Sequence, residues 1–157
     1  MKRFLIVLLS IINLSGFAQN RIVEFENSVF RVIYSENFEQ PLKIEYIVDC
    51  WEGSHSRTGM NFYKVKGIHT SDNDDYKNNE WDKGHMAPAA AFSCDQEELY
   101  ATFSYLNCAL QHEGLNRGPW KDLEAYERKL AQQYGKVKVI IELEFKDICD
   151  RRLASGA

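Results

Sequence analysis

Apolar and polar residues alternate most cleanly over Val137 to Phe145, where Val137, Val139, Ile141, Leu143 and Phe145 fall on one side of an extended chain. A period of two marks a strand buried on one face. Leu42, Ile44, Tyr46 and Val48 repeat the pattern, and Pro41 stands just ahead, where a strand can begin without losing a ladder bond. Val29 to Tyr34 predicts another short strand, as do Phe62 to Val65 and, with a more mixed pattern, Ser104 to Leu110. Helical periodicity takes over from Arg117 to Tyr134, with Trp120, Leu123, Leu130 and Tyr134 as the apolar face and Glu124, Glu127, Arg128 and Lys129 beside or opposite it. Pro119 falls in the first turn, whose amides have no intrahelical acceptor, and Gly135 stands where a C-terminal cap belongs. Asp95 to Phe103 predicts a short helix, with Ser93 and Gln96 spaced for a capping box. The stretch His69 to Asn79, rich in Asp and Asn, predicts a solvated loop. Its Asp72, Asp74 and Asp75 lack the glycine and the in-register glutamate of a calcium loop. This order of elements predicts one α+β domain, mainly antiparallel, with no internal repeat.

The N-terminus adds a separate feature. Met1-Lys2-Arg3 is basic, Phe4 to Leu14 is apolar, and Ser15-Gly16-Phe17-Ala18 places small residues around a cut after Ala18. The apolar run falls short of the roughly 20 residues that span a bilayer. Residues 1–18 are therefore expected to be a signal peptide, and residues 19–157 an exported domain, periplasmic or secreted, with no membrane attachment after cleavage. Loss of Lys2 and Arg3 leaves 17 basic residues against 23 acidic ones, a net charge of −6. So acidic a chain is not a histone-like DNA-coating protein, although a basic cleft can sit within it. Four cysteines, Cys50, Cys94, Cys108 and Cys149, predict disulfides in an oxidising compartment, with three connectivities open. Cys108 and His112 lack the second ligand pair a zinc site needs, and no base is placed around any one thiol.

Candidate chemistry concentrates in two runs. Trp81-Asp82-Lys83-Gly84-His85-Met86-Ala87-Pro88-Ala89-Ala90 packs an acid, a cation and an imidazole ahead of a small-residue turn. Leu115-Asn116-Arg117-Gly118-Pro119-Trp120 leads into Leu123-Glu124 and Glu127-Arg128. Asn116 offers a neutral oxygen suited to a hard cation, and Glu124 and Arg128 share a helical face, where they pair or line a cleft. His55, His69 and His112 lie in polar stretches and are expected to be exposed.

Taken together, Asp82 to Arg128 resembles the DNA/RNA non-specific endonucleases, ββα-metal (His-Me finger) nucleases. The family's Asp-Arg-Gly-His and following Ala-Pro-Ala correspond to Asp82-Lys83-Gly84-His85 and Ala87-Pro88-Ala89. Its Thr-Phe-x-x-Ser/Leu-Asn stretch corresponds to Thr102 through Asn107 and on to Gln111, and its Leu-Asn-x-Gly-x-Trp-x-x-Leu-Glu to Leu115 through Glu124. The resemblance implies His85 as general base, Asn116 as the direct protein ligand of one Mg²⁺ (Mn²⁺ as a substitute), Glu124 as holder of metal-bound waters and Asn107 as an orienting residue. It also implies Lys83, Arg128 and Arg57 as phosphate-binding cations. Lys83 replaces the usual Arg, keeping the charge and losing the bidentate fork, and the spacing of Arg57 is loose. Family domains continue beyond the strand placed at 137–145, so the chain reads as C-terminally shortened. The implied function is metal-dependent endonuclease action on DNA and RNA with little sequence preference. The alternative is an inactive, disulfide-stapled module of the same fold that binds nucleic acid or protein.

Overall fold

The computed structural model describes residues 21–145, so the expected signal peptide and Cys149 lie outside the described residues. Strands β1 (Ile22–Glu26), β2 (Phe30–Ser35) and β3 (Gln40–Val48) form a meander, and β6 (Val137–Glu142) closes an antiparallel sheet of order β1-β2-β3-β6. Alternation decides the faces as expected. Phe30, Val32 and Tyr34 of β2 and Ile44, Tyr46 and Val48 of β3 are buried, and Val137, Val139 and Ile141 of β6 pack on the same side. Pro41 sits in β3 opposite Tyr34, next to a register shift between Ile33 and Tyr34 and outside the stretch of β3 that pairs with β6. Its missing N–H therefore interrupts no ladder there.

A second, two-stranded antiparallel ribbon joins β4 (Trp81–His85) to β5 (Cys108–His112). Met86, Ala87, Leu106 and Ala109 from this region meet the sheet's buried face and Ala131, making one core. Gln40 ties the two sheets together by accepting the Leu110 N–H at 2.9 Å. A smaller cluster of Ala89, Leu99 and Phe103, flanked by Met60, Phe62 and Tyr63, closes the other side of the ribbon. Helix α1 (Gln96–Ala101) belongs to that side. After β5 come one turn of α2 (Glu113–Leu115), a wide turn over Asn116–Trp120, and α3 (Lys121–Tyr134). No helix among the described residues is long and apolar enough to cross a membrane.

Several expectations need correction. Strand β1 was not legible, since Ile22–Glu26 is half exposed along its length. Phe62 to Val65 contributes one bridge, Tyr63 to Ser104, rather than a strand. Ser104 to Leu110 begins as a 3-10 turn at Tyr105–Asn107 and becomes β5 only at Cys108. The N-cap of α1 is Asp95, whose carboxylate accepts the N–H groups of Glu97 and Glu98, so no capping box forms from Ser93. The long helix starts at Lys121 rather than Arg117, because the backbone at Gly118 leaves helical geometry. Gly135 caps it as expected, with φ of 85° and its N–H on Ala131 O at 2.7 Å.

The largest correction concerns which way α3 faces. Leu123, Tyr126 and Tyr134 are exposed at 44%, 55% and 68%, while Glu127 and Ala131 are buried. The side turned inward is a polar one. Burial holds the Glu127 carboxyl above its ordinary range, with the Tyr46 hydroxyl, which donates to Oε2 at 3.0 Å, opposing that rise. A carboxyl that binds protons more readily folded than unfolded makes stability fall as pH rises from the ordinary carboxylate range through its raised folded value. Glu127→Gln keeps an acceptor for Tyr46 and removes the buried charge. It is expected to raise stability at pH 7 by about 1 kcal/mol, or Tm by about 4 °C. The difference should vanish in acid, where the wild-type carboxyl is protonated in both states; thermal melts across pH check it.

Candidate active site

The ribbon β4–β5 and α3 enclose the residues that the two sequence runs single out. Gly84 pairs with Ala109, and a Cβ on it would lie 2.3 Å from the Gln111 carboxamide, so the side chain of Gln111 occupies the space that only glycine leaves. Where the chain leaves β4 it is clamped by Asn107. The Asn107 Oδ1 accepts the Ala87 N–H at 2.7 Å, and its Nδ2 donates to Ala87 O at 2.9 Å and Thr102 O at 2.8 Å. The Met86 N–H in turn reaches Asn107 O at 2.9 Å. Asn107 is fully buried and does not line the cavity beside His85. Its place in the site is to hold the segment following His85.

The His85 ring lies between Phe62 and Phe103, with centroids 4.7 and 4.8 Å away. The Trp120 indole N–H donates to the His85 carbonyl at 3.1 Å, which ties the start of α3 to the end of β4. The His85 Nε2 is shielded from solvent and has no hydrogen-bond partner. Desolvation, with the Arg57 charge as a smaller cause, pushes its pKa down to about 3. The imidazole is therefore neutral at physiological pH, with a lone pair free, rather than poised at the ordinary value near 6.5.

Asn116 sits in the wide turn ahead of α3. Its Nδ2 donates to Asp82 Oδ2 at 2.9 Å. Asp82 also takes a fork from Arg117, Nε to Oδ2 at 2.9 Å and Nη2 to Oδ1 at 2.8 Å, and that bond is the main reason its pKa is lowered. An ionised Asp82 accepts only, so the amide nitrogen of Asn116 must face it. The carbonyl oxygen of Asn116 is thereby turned away and receives no hydrogen bond among the described residues. Glu124 is half-buried on the inward side of α3, and burial pushes its carboxyl up to about 7.

A cavity of about 510 Å³ is lined by Arg57, Lys83, His85, Asn116 and Glu124, together with Phe62, Phe103, Ala89 and Ala90. The Lys83 ammonium stands 5.9, 5.6 and 5.7 Å from the ring centroids of Phe62, Tyr76 and Tyr105. It donates to Asn73 Oδ1, which also accepts the Tyr105 hydroxyl at 2.9 Å. Three aromatic faces and one amide oxygen thus do for this lysine the orienting that a guanidinium's rigid fork does for itself. Asn73 and Tyr76 were missed in sequence because the polar stretch around them reads as a solvated loop. Arg128 lines an adjoining cavity of about 370 Å³ rather than this one, with Arg57 and Glu124 common to both. Glu124 and Arg128 thus line a cleft instead of forming an ion pair.

Of the cysteines, Cys50 and Cys94 form a disulfide. The expectation that Cys108 is bridged fails. It is a free thiol in the core, sharing a hydrogen bond of 3.2 Å with the Tyr76 hydroxyl, and burial pushes it up to about 12. A thiol so placed is neither nucleophile nor accessible metal ligand. His55, His69 and His112 are exposed as expected.

A two-stranded ribbon ending in a histidine, crossed by a turn that brings an asparagine and a helix that brings a glutamate to it, defines the ββα-metal class of nucleases within an α+β fold. The DNA/RNA non-specific endonuclease family model matches residues 12–145, and the chain belongs to that family. It is 34% identical over 90 residues to mitochondrial endonuclease G of Bos taurus, a match covering 55% of this chain and 30% of that protein. It is 37% identical over 75 residues to the Homo sapiens protein of the same name, covering 48% of this chain and 25% of that one. The zebrafish (Danio rerio) mitochondrial nuclease EXOG matches at 34% over 76 residues, covering 48% of this chain and 22% of that protein. The matches thus span less than a third of the length of these relatives. Among solved structures, EndoG in a complex with EndoGI superimposes with a TM-score of 0.68 at 27% identity, over 81% of this chain and 56% of that one. These relatives are named mitochondrial nucleases, which overturns the expectation of an exported, periplasmic or secreted protein drawn from the apolar N-terminus.

Proposed function

We propose that the chain is a metal-dependent endonuclease that hydrolyses phosphodiester bonds of DNA and RNA with little sequence preference, using His85 as general base and Mg²⁺ held by Asn116. The observation that carries the reading is His85 itself. It is a neutral imidazole whose Nε2 has no partner, on the wall of a cavity lined also by Asn116, Glu124 and the cations Lys83 and Arg57.

The donors suit a particular kind of metal. Among the described residues no three His, Cys, Asp or Glu side chains form a group that could hold a metal ion, so a caged zinc does not fit. One amide oxygen and one carboxyl do fit a hard cation that keeps most of its waters, which describes Mg²⁺ and allows Mn²⁺. When bound, the metal supplies charge neutralisation at the phosphoryl oxygens and stabilisation of the leaving oxygen. Asn116 would hold it directly and Glu124 through its waters. Lys83 and Arg57 draw the phosphate in and orient it. His85 then takes a proton from water as the water oxygen–phosphorus bond forms and the phosphorus–O3′ bond breaks, leaving a 5′-phosphate and a 3′ oxygen that takes a proton from solvent to become the 3′-hydroxyl. The anionic phosphate beside the imidazole favours its protonated form, so the proton affinity of His85 rises when substrate is in place. Contacts to phosphate carry no base information, which accounts for weak sequence preference.

The test is cutting of supercoiled plasmid and single-stranded RNA with Mg²⁺ or with EDTA. Metal-dependent cutting of both is the expected result. Cutting that survives EDTA overturns the metal's role, and no cutting by folded protein leaves the inactive binding module. Asp82 gives a further prediction. Asp82→Asn lets the Asn116 amide turn over, and the Mg²⁺ concentration for half-maximal rate is expected to rise about 10–100-fold, as for other partners that orient a metal ligand. A titration of rate against Mg²⁺ checks it.

A further inference from the structure

The cavity next to the candidate active site has no part in the reaction described above, yet it is cationic and continuous with it. Its lining includes His55, Arg57, Lys121, Glu124 and Arg128, and it shares Arg57, Glu124, Ala89 and Ala90 with the cavity that holds His85. On α3, Lys121, Glu124 and Arg128 are spaced three and four residues apart, so they form one stripe along the helix. The two cations are about 10 Å apart along its axis, with the Glu124 carboxyl between them.

The opposite wall is fixed in place. The Cys50–Cys94 disulfide joins the loop carrying His55 and Arg57 to the segment after Ala90. The His55 N–H donates to Ser93 O at 3.0 Å. Gly53 packs so closely that a Cβ would lie 2.0 Å from Ser93 Oγ and 2.4 Å from the Ser93 carbonyl carbon, a contact no other residue could make. Of the cations facing the groove, Arg57 and Arg128 act electrostatically on Glu124, and Arg128 also on Glu127. Lys121 makes no ion pair among the described residues, and Arg128 Nη1 is shielded from solvent with no hydrogen-bond partner. The acids whose charges meet these cations are Glu124, whose carboxyl burial pushes up to about 7, Glu127, which accepts the Tyr46 hydroxyl, and Asp95, which is engaged as the N-cap of α1.

We propose that this second cavity is a subsite for the phosphate next to the scissile one, held by Lys121 and His55 together with Arg128, so that the nucleic-acid strand runs along α3 from one cavity into the other. The inference rests on the nuclease reading for the identity of the first cavity. It adds the path of the strand, two residues that nothing in the motifs marks, and a minimum substrate of two phosphates for full affinity. A phosphate suits the groove because it offers several acceptor oxygens to donors converging from a helix and a pinned loop.

The test measures binding and cleavage separately. Binding of fluorescein-labelled single-stranded oligonucleotides of two, three, four and eight nucleotides is titrated in EDTA at several salt concentrations, with wild type, Lys121→Gln and Lys129→Gln. Lys129 is exposed on α3 away from both cavities and controls for loss of charge alone. Wild type should tighten on passing from one phosphate to two. Lys121→Gln should lose about 3–10-fold on substrates with two or more phosphates and lower the salt slope by roughly 0.7, the share of one phosphate contact. Lys129→Gln should change neither. An unchanged slope and length dependence in Lys121→Gln, or the same change in Lys129→Gln, overturns the subsite. Cleavage of the same oligonucleotides with Mg²⁺ is read in parallel. Lys121-dependent binding without cleavage would sink the nuclease reading and keep the subsite, and cleavage without Lys121-dependent binding would do the reverse.

Discussion

His85→Ala is expected to lower kcat by roughly 10²–10⁴-fold, the usual contribution of a positioned general base. The ring is held by Phe62 and Phe103 and its Nε2 has no other partner, so its removal takes away the proton acceptor without breaking a hydrogen bond of the fold. His85→Gln keeps more of the packing volume and should lose nearly as much rate, which separates chemistry from a loosened core. The pH profile carries the same assignment. Protonation abolishes the base, and burial has moved that event in the free protein down to about 3. At saturating Mg²⁺, whose charge favours the ionised form of Glu124, kcat/KM should therefore stay level through the range where an ordinary histidine titrates. The acid limb of kcat should lie higher, because the bound phosphate raises the proton affinity of the imidazole. If kcat/KM of the wild type instead falls with an ordinary histidine pKa, and His85→Ala keeps that limb, another group is the base.

Asn107→Ala should be the most destabilising single change at the site. It leaves the Ala87 N–H and the carbonyls of Ala87 and Thr102 without their partners in a fully buried place. Each abandoned group carries a desolvation penalty of about 1–3 kcal/mol. The expected total of about 3–5 kcal/mol is a large part of the 5–15 kcal/mol that domains typically have. Urea unfolding followed by far-UV circular dichroism measures it as a shift of the midpoint with unchanged slope. Activity should fall in proportion to the folded fraction. A variant that melts like wild type but does not cut would mean that Asn107 acts on the reaction rather than on the segment following His85.

The faces of the sheet could be read from sequence because alternation in a strand is strict. Val32, Tyr34, Ile44, Tyr46 and Val48 are buried where the pattern puts them. Just ahead of α3 the same reasoning held for Trp120, which packs against the core, and beyond it failed. Periodicity marked Leu123 and Tyr134 as the inward face, and both are exposed, while Glu124, Glu127 and Arg128 point toward the interior. An amphipathic pattern assigns the apolar side to the core only when nothing else competes for that side. Here the helix presents a carboxyl to the ribbon's histidine and another to Tyr46, so the site claims the position that packing would otherwise take. A similar limit applies around Lys83. Its cage comes from Phe62, Tyr76 and Tyr105, and its acceptor from Asn73, residues whose proximity depends on how a polar loop folds back on the ribbon.

The sequence by itself determined the α+β class, three of the four strands of the main sheet and the family, because these depend on local alternation and on residue types at fixed short spacings. It also marked His85, Asn116, Glu124, Lys83 and Arg57, which the fold brings to one cavity. Only the tertiary structure decided that Arg128 belongs to the neighbouring cavity, that Asp82 turns the Asn116 carbonyl outward, that Cys50 pairs with Cys94 while Cys108 stays a buried thiol, and that His85 is neutral. Each of these depends on groups far apart in the chain and on how much water reaches them, and neither quantity is written in local pattern.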